Sequence, residues 1–153
     1  MTTSSWGIHL IEEFEGFRPV MYLDPVGLPT IGYGTLIDTE AEQWLLTAAI
    51  TPEQAETLLK QELGGIELRI NKLLQKPINQ NQYDSLASFC YNLGTGALKR
   101  STLLKKLNVN PNDPAIRYEF VKWVNADGKR SSGLVKRRKA ESDLYFTPMI
   151  DMT

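Results

Sequence analysis

Cysteine and histidine are almost missing from the 153-residue chain, which has one of each, Cys90 and His9. A single cysteine excludes an internal disulfide, and one cysteine with one histidine cannot assemble a structural zinc site. No apolar run approaches the roughly 18–20 residues that a membrane-spanning helix needs. The opening stretch, MTTSSWGIHLIEEFEGF, carries acids where a signal peptide would have its apolar core. Internal repeats, low-complexity tracts and long linkers are also missing. The expectation is a soluble domain of a reducing compartment, without metal, cofactor, signal or membrane anchor. What is present is ordinary for a globular chain: 42% hydrophobic and 23% charged residues, which excludes disorder and collagen-like repeats. The length suits one domain, or two lobes sharing a hinge, with a core of its own.

Charge is close to balanced overall, at −1, but not along the chain. Residues 1–98 hold 5 Lys and Arg against 12 Asp and Glu, and residues 99–153 hold 12 against 6. The densest basic run is Lys136-Arg137-Arg138-Lys139. Such polarity points to an anionic polymer or surface as partner; a solvated helix face is the plainer reading of the same run.

The first helical stretch spans about Ser5 to Glu15, with Ser4 or Ser5 as N-cap and Gly16 as its stop. Residues 17–36 change character to glycine, proline and β-prone side chains, which predicts a short antiparallel sheet of two or three strands. Thr51-Pro52-Glu53-Gln54 reads as cap, first-turn proline and capping-box glutamine, and Asn79 to Gln82 repeats the signal. Leu86, Phe89, Cys90 and Leu93 then line one face up to Gly94. Further helices are expected from near Ser101, from Asp113-Pro114 to about Asn125, and from Gly133 to Phe146. The fold class is α+β and mainly helical, with a small acidic sheet lobe followed by a larger basic helical lobe. His9 and Cys90 lie on apolar-patterned helices and read as packing residues.

Candidate chemistry concentrates in Glu15-Gly16, Tyr22-x-Asp24 and Gly27-x-x-Thr30-Ile31-Gly32-Tyr33-Gly34. Glu15 falls in the last helical turn, where free carbonyls and the negative end of the helix dipole disfavour a carboxylate. Phe14 and Phe17 flank it, and both effects favour the protonated acid near neutral pH. Asp24 falls in a Pro/Gly turn with free backbone N–H groups and stays ionised. Two carboxylates in such unlike settings suit glycoside hydrolysis, one as acid and one as base or charge stabiliser. Thr30 adds a hydroxyl able to hold a water. Acids beside a β-turn are also commonly just solvated.

The stretch E-G-F-R-x-x-x-Y-x-D-x-x-G-x-x-T-I-G-Y-G resembles the catalytic segment of phage-type lysozymes, glycoside hydrolase family 24, the endolysins that cut peptidoglycan. The resemblance continues through QYDSLASFCYNLGTGALKRSTLLKKLN (residues 82–108), FVKWVNADG (120–128) and GLVKRRKAE (133–141). It implies a two-lobed lysozyme-like fold, a single catalytic domain over residues 1–153 with lobes of approximately 1–60 and 61–153 and a cleft between them. It implies Glu15 as general acid, Asp24 as second carboxylate, and Thr30 orienting the attacking water. Gly27, Gly32 and Gly34 then serve backbone geometry, and Tyr91, Asn92, Ser101 and Thr102 match positions that line the substrate cleft. By the same resemblance Arg137 or Arg138 approaches Glu15 as a charge partner. The partners implied are the glycan strands of peptidoglycan and, for release from the host cytoplasm, a separate membrane-permeabilising protein. A monomer is the default for a cleft enzyme acting on a solid polymer.

Two features depart from the family pattern. Thr35 stands where many members have histidine, and the chain is less basic than many relatives. Two rivals share the wall as target. A lytic transglycosylase needs the acid but no second carboxylate, and the presence of Asp24 and Thr30 argues for hydrolysis. A catalytically dead wall-binding module would have lost one of Glu15, Asp24 or Thr30. Nucleic-acid binding by the basic run has no recognised motif behind it.

Overall fold

The computed structural model describes residues 1–149. Its described part falls into two compact units: residues 9–65, and residues 1–8 with those from 66 onward. The division therefore passes through two helices, α1 (Ser5–Glu15) and α2 (Pro52–Leu73), and groups the first eight residues with the later part of the chain.

In the 9–65 unit the chain leaves α1 and forms an antiparallel sheet in sequence order from β1 (Arg18–Leu23), β2 (Pro29–Gly32) and β3 (Thr35–Leu36). Tyr22 lies opposite Thr30, and Leu23 opposite Pro29. A bulge between Arg18 and Tyr22 shifts the register and bends the strand. The sheet closes on a core of Ile31, Ile37, Leu45, Ile50 and Ala55, against which Phe17, Met21, Tyr33, Leu46 and Leu58 pack. The α2 start is the expected capping box: Gln54 N–H donates to Thr51 Oγ1 at 3.2 Å, and Thr51 N–H to Gln54 Oε1 at 2.9 Å. Two orphan donors are thus satisfied at the point where the sheet hands over to the helix.

The other unit is built around α3 (Gln80–Leu93), which starts with the reciprocal Asn79–Gln82 capping box. The apolar stripe of α3 suggested one buried face, but every residue from Gln82 to Cys90 is buried. Its polar side chains are buried with hydrogen-bond partners, some on the same helix and some far away in sequence. Asp84 accepts from Ser4 N–H and Gln80 Nε2, and Ser4 Oγ donates to it. Ser85 Oγ donates to the Asn81 carbonyl, and Ser88 Oγ to Glu141 Oε2 at 2.6 Å. Two short helices follow, α4 (Thr95–Arg100), which the periodicity did not suggest, and α5 (Thr102–Val109), which starts where expected and is capped by Ser101. The helix expected to run to Asn125 is shorter, α6 (Ile116–Val121). Asn125–Ala126 and Lys129–Arg130 instead form a hairpin, β4–β5. Its two turn residues, Asp127 and Gly128, have φ of 52° and 75°, the conformation for which Asp-Gly is favoured in tight hairpins. The last described helix, α7 (Ser132–Tyr145), packs on α3 and α6. Phe89 sits edge-on to Phe120 and Trp123, with centroids 5.9 and 5.7 Å away. No helix among the described residues is long and apolar enough to cross a membrane.

Candidate active site

Glu15 is the last residue of α1, half-buried, as the helix-end reading required. Its carboxylate lies against the tip of the β2–β3 turn: a Cβ placed on Gly34 would come within 2.6 Å of Glu15 Oε1. Gly34 also has φ of +77°, so the backbone favours glycine here, and a Cβ would have to displace the Glu15 carboxylate.

Asp24 directly follows β1 and organises the turn that leads into β2. Its Oδ1 accepts the N–H of Val26 at 3.0 Å and of Leu28 at 2.8 Å, while its own N–H donates to the Leu28 carbonyl. The carboxylate is thereby held in one orientation by backbone groups rather than by a flexible side chain. Thr30 is 2% exposed, and its hydroxyl donates to the same Leu28 carbonyl at 2.9 Å. With its proton committed, Thr30 Oγ1 has only acceptor capacity left for a further partner. One five-residue turn therefore fixes both Asp24 and Thr30.

Tyr22, across the strand pair from Thr30, ties Glu15 and Asp24 electrostatically. Its phenol is pushed above its ordinary range first by burial and then by the Glu15 charge, with Arg18 pulling down and Asp24 pushing up. Arg18 stacks over the Tyr22 ring at 4.3 Å. The sequence motif contained both residues, but spacing alone did not assign them a part.

The other sequence-named residues lie in the helical unit. Asn92 Oδ1 accepts from Arg138 Nη2 at 2.8 Å, which leaves its amide nitrogen to donate. Tyr91 is half-buried, Ser101 is buried as the α5 cap, and Thr102 is exposed at the first helical position. Arg138 is wholly buried, with Nε 2.7 Å from Glu141 Oε1 and Nη1 3.5 Å from the Trp123 carbonyl oxygen. Cys90 is a packing residue, 1% exposed, and burial pushes its thiol well above the ordinary range.

His9 is not a packing residue. It is exposed, and on α1 and α2 its ring nitrogens, the Glu12 carboxyl and the Glu56 carboxyl converge, with ligand-capable atoms all within 4.8 Å of one another. The i, i+3 spacing of His9 and Glu12 was legible in sequence, but their meeting with Glu56 was not. Burial, and then the Glu56 carboxyl, raise Glu12 to about 7 from 4.5, with Lys60 opposing. Glu56 is lowered, first by its hydrogen bond with Glu12, so the pair holds one proton and Glu12 carries it. The native state then keeps a proton that the unfolded chain releases above 4.5. This contribution is complete below pH 4.5 and is lost as pH rises through about 7. In chelator-containing buffer, Glu12→Gln is expected to raise Tm by about 1–3 °C at pH 8.5 and to change it little at pH 4. Thermal melts at the two pH values check this; an equal change at both would refute the shared proton.

The comparisons agree with this architecture. The sequence profile of the phage lysozyme family matches residues 12–141. The endolysin of Bacillus phage B103 is 41% identical over 150 residues, which is 96% of this chain but 55% of that protein, so the chain spans about half of that relative. The endolysin of Salmonella phage P22 is 37% identical over 147 residues, covering 96% of this chain and 99% of that protein. The solved muramidase domain of SpmX from Asticaccaulis excentricus is 32% identical with a TM-score of 0.85, covering 96% of this chain and 99% of that one. A mainly helical chain with a small antiparallel sheet and these likenesses is a glycoside hydrolase of the lysozyme class. Within that class, it belongs to the phage lysozyme family.

Proposed function

We propose that this chain cleaves the β-1,4 bond between N-acetylmuramic acid and N-acetylglucosamine in peptidoglycan, degrading the bacterial wall during host lysis. Glu15 is the general acid that protonates the glycosidic oxygen. Asp24 and Thr30 hold the attacking water, Asp24 taking one of its protons and Thr30 Oγ1 accepting a hydrogen bond from it. The observation that carries this reading is the Asp24–Leu28 turn. It commits the Thr30 proton to the Leu28 carbonyl and Asp24 Oδ1 to two backbone N–H groups. What is left over, Thr30 Oγ1 and Asp24 Oδ2, is acceptor capacity of the kind an attacking water needs. Tyr91, Asn92 and Thr102 contact the glycan strand. On this reading the enzyme works as a monomer and stays in the host cytoplasm until a separate membrane-permeabilising protein admits it to the wall.

Hydrolysis leaves a reducing muramic acid end, whereas a lytic transglycosylase leaves an anhydro end. Mass spectrometry of borohydride-treated fragments from purified Gram-negative peptidoglycan is expected to find reduced ends only. Anhydro ends would move the reading to transglycosylation, and the absence of soluble fragments would move it to a binding module.

Gly34 offers a second check. In Gly34→Ala the new Cβ meets the movable end of Glu15, so the carboxylate swings away at little cost to packing. Strain from the positive φ adds about 1–2 kcal/mol. Misplacing the acid by about 1 Å is expected to slow the reaction on the order of 10²-fold. Parallel measurements of turnover and Tm separate the two effects; unchanged turnover would mean that Glu15 is not positioned against this turn.

A further inference from the structure

We propose that His9, Glu12 and Glu56 form a binding site for one divalent transition-metal ion, of which Zn²⁺ is the natural probe. One imidazole nitrogen and two carboxylates supply a mixed N/O donor set with two negative charges. That set suits Zn²⁺ and its borderline neighbours, whereas Mg²⁺ and Ca²⁺ favour all-oxygen shells. The candidate ligand atoms lie within 4.8 Å of one another. Tetrahedral ligands about 2.0–2.1 Å from zinc sit roughly 3.3 Å apart, so rotations about side-chain bonds close the set. Water completes the coordination on the exposed His9 side.

A second observation is independent of that convergence. Glu12 Oε1 is fully buried, yet no donor among the described residues satisfies it. A buried carboxyl oxygen with no donor is an unmet polar demand, and a cation that displaces the proton shared with Glu56 meets it. The Lys60 ammonium answers only part of the demand: it is 3.5 Å from Glu56 Oε2, and its side chain is 57% exposed. The Tyr33 phenol is raised first by burial and then by the charges of Glu12, Glu56 and Glu53. Because His9 and Glu12 lie on α1 and Glu56 on α2, a bound ion pins the helix that ends at Glu15 to its neighbour within the 9–65 unit.

His9 is the only histidine in the chain, so its imidazole proton resonances report on the site without assignment. The untagged, chelator-stripped protein is titrated with ZnCl₂ at pH 7.5 and followed by NMR and calorimetry. One ion per chain, with movement of the imidazole signals, is expected. Glu12→Gln, Glu56→Gln and His9→Ala are each expected to weaken binding by more than about tenfold, while the neighbouring Glu13→Gln leaves it unchanged. Immobile His9 signals at millimolar zinc would overturn the site. So would signals that move equally in the two carboxylate variants, since the imidazole would then be binding alone. Neither readout uses enzyme activity, so the site stands or falls apart from the proposed function.

Discussion

Glu15→Gln is expected to slow the clearing of purified peptidoglycan by about 10²–10⁴-fold while the protein still melts as a folded domain. Glutamine keeps the shape of the side chain and its place beside Gly34 but has no proton to give to the leaving oxygen. Glu15 is half-buried at a helix end, where an isosteric amide occupies the same volume. A turbidity assay beside a thermal melt reads both quantities. Loss of activity with an intact melt assigns the acid. Equal clearing by both proteins would place the acid elsewhere and undo the role given to Glu15, and a collapsed melt would show the position to be structural.

The largest expected effect on stability is at Glu141. Its side chain is wholly buried, with Arg138 Nε at 2.7 Å, Arg137 Nε at 3.4 Å and the Ser88 hydroxyl at 2.6 Å. Burial pushes its carboxyl above the ordinary range, and Arg138, Arg137 and Ser88 pull against it. Removing the carboxylate takes the ion-pair partner from the Arg138 guanidinium, whose side chain is 0% exposed. Breaking a buried pair in this way costs about 3–5 kcal/mol, a large share of the roughly 5–15 kcal/mol that holds a domain folded. Urea denaturation of Glu141→Leu is expected to show that loss. The double variant Arg138→Met/Glu141→Leu recovers part of it, because one stranded charge goes with its partner. A loss below about 1 kcal/mol would mean that the network behaves like an exposed ion pair.

Much of the local structure was legible because its causes are local. A cap and the N–H it satisfies are three residues apart, so Thr51 and Asn79 announced their helices without help from tertiary structure. The turn that holds Asp24 and Thr30 is equally self-contained, which is why one short motif marked the candidate site. The Asp127-Gly128 hairpin also carries a local signal, an Asp-Gly turn, which the expectation of a helix reaching Asn125 left unused. Other features depended on residues that sequence spacing keeps apart. The α3 periodicity showed an apolar stripe and could not show that Asp84 meets Ser4, or Ser88 meets Glu141, so the burial of its polar face went unseen.

His9 marks the same limit from the other side. One histidine and one cysteine in a chain rightly exclude a thiolate-and-imidazole zinc cage, and that much composition alone determined. Composition could not bring a glutamate of α2 to a histidine and a glutamate of α1. Helix capping, turn geometry and the order of the motifs act over a few bonds, so the sequence by itself determined them. The buried ion network around Glu141 and the convergence on Glu12 were decided only by tertiary packing. There, desolvation makes a charge depend on neighbours far along the chain, Glu141 on Ser88 53 residues away and Glu12 on Glu56.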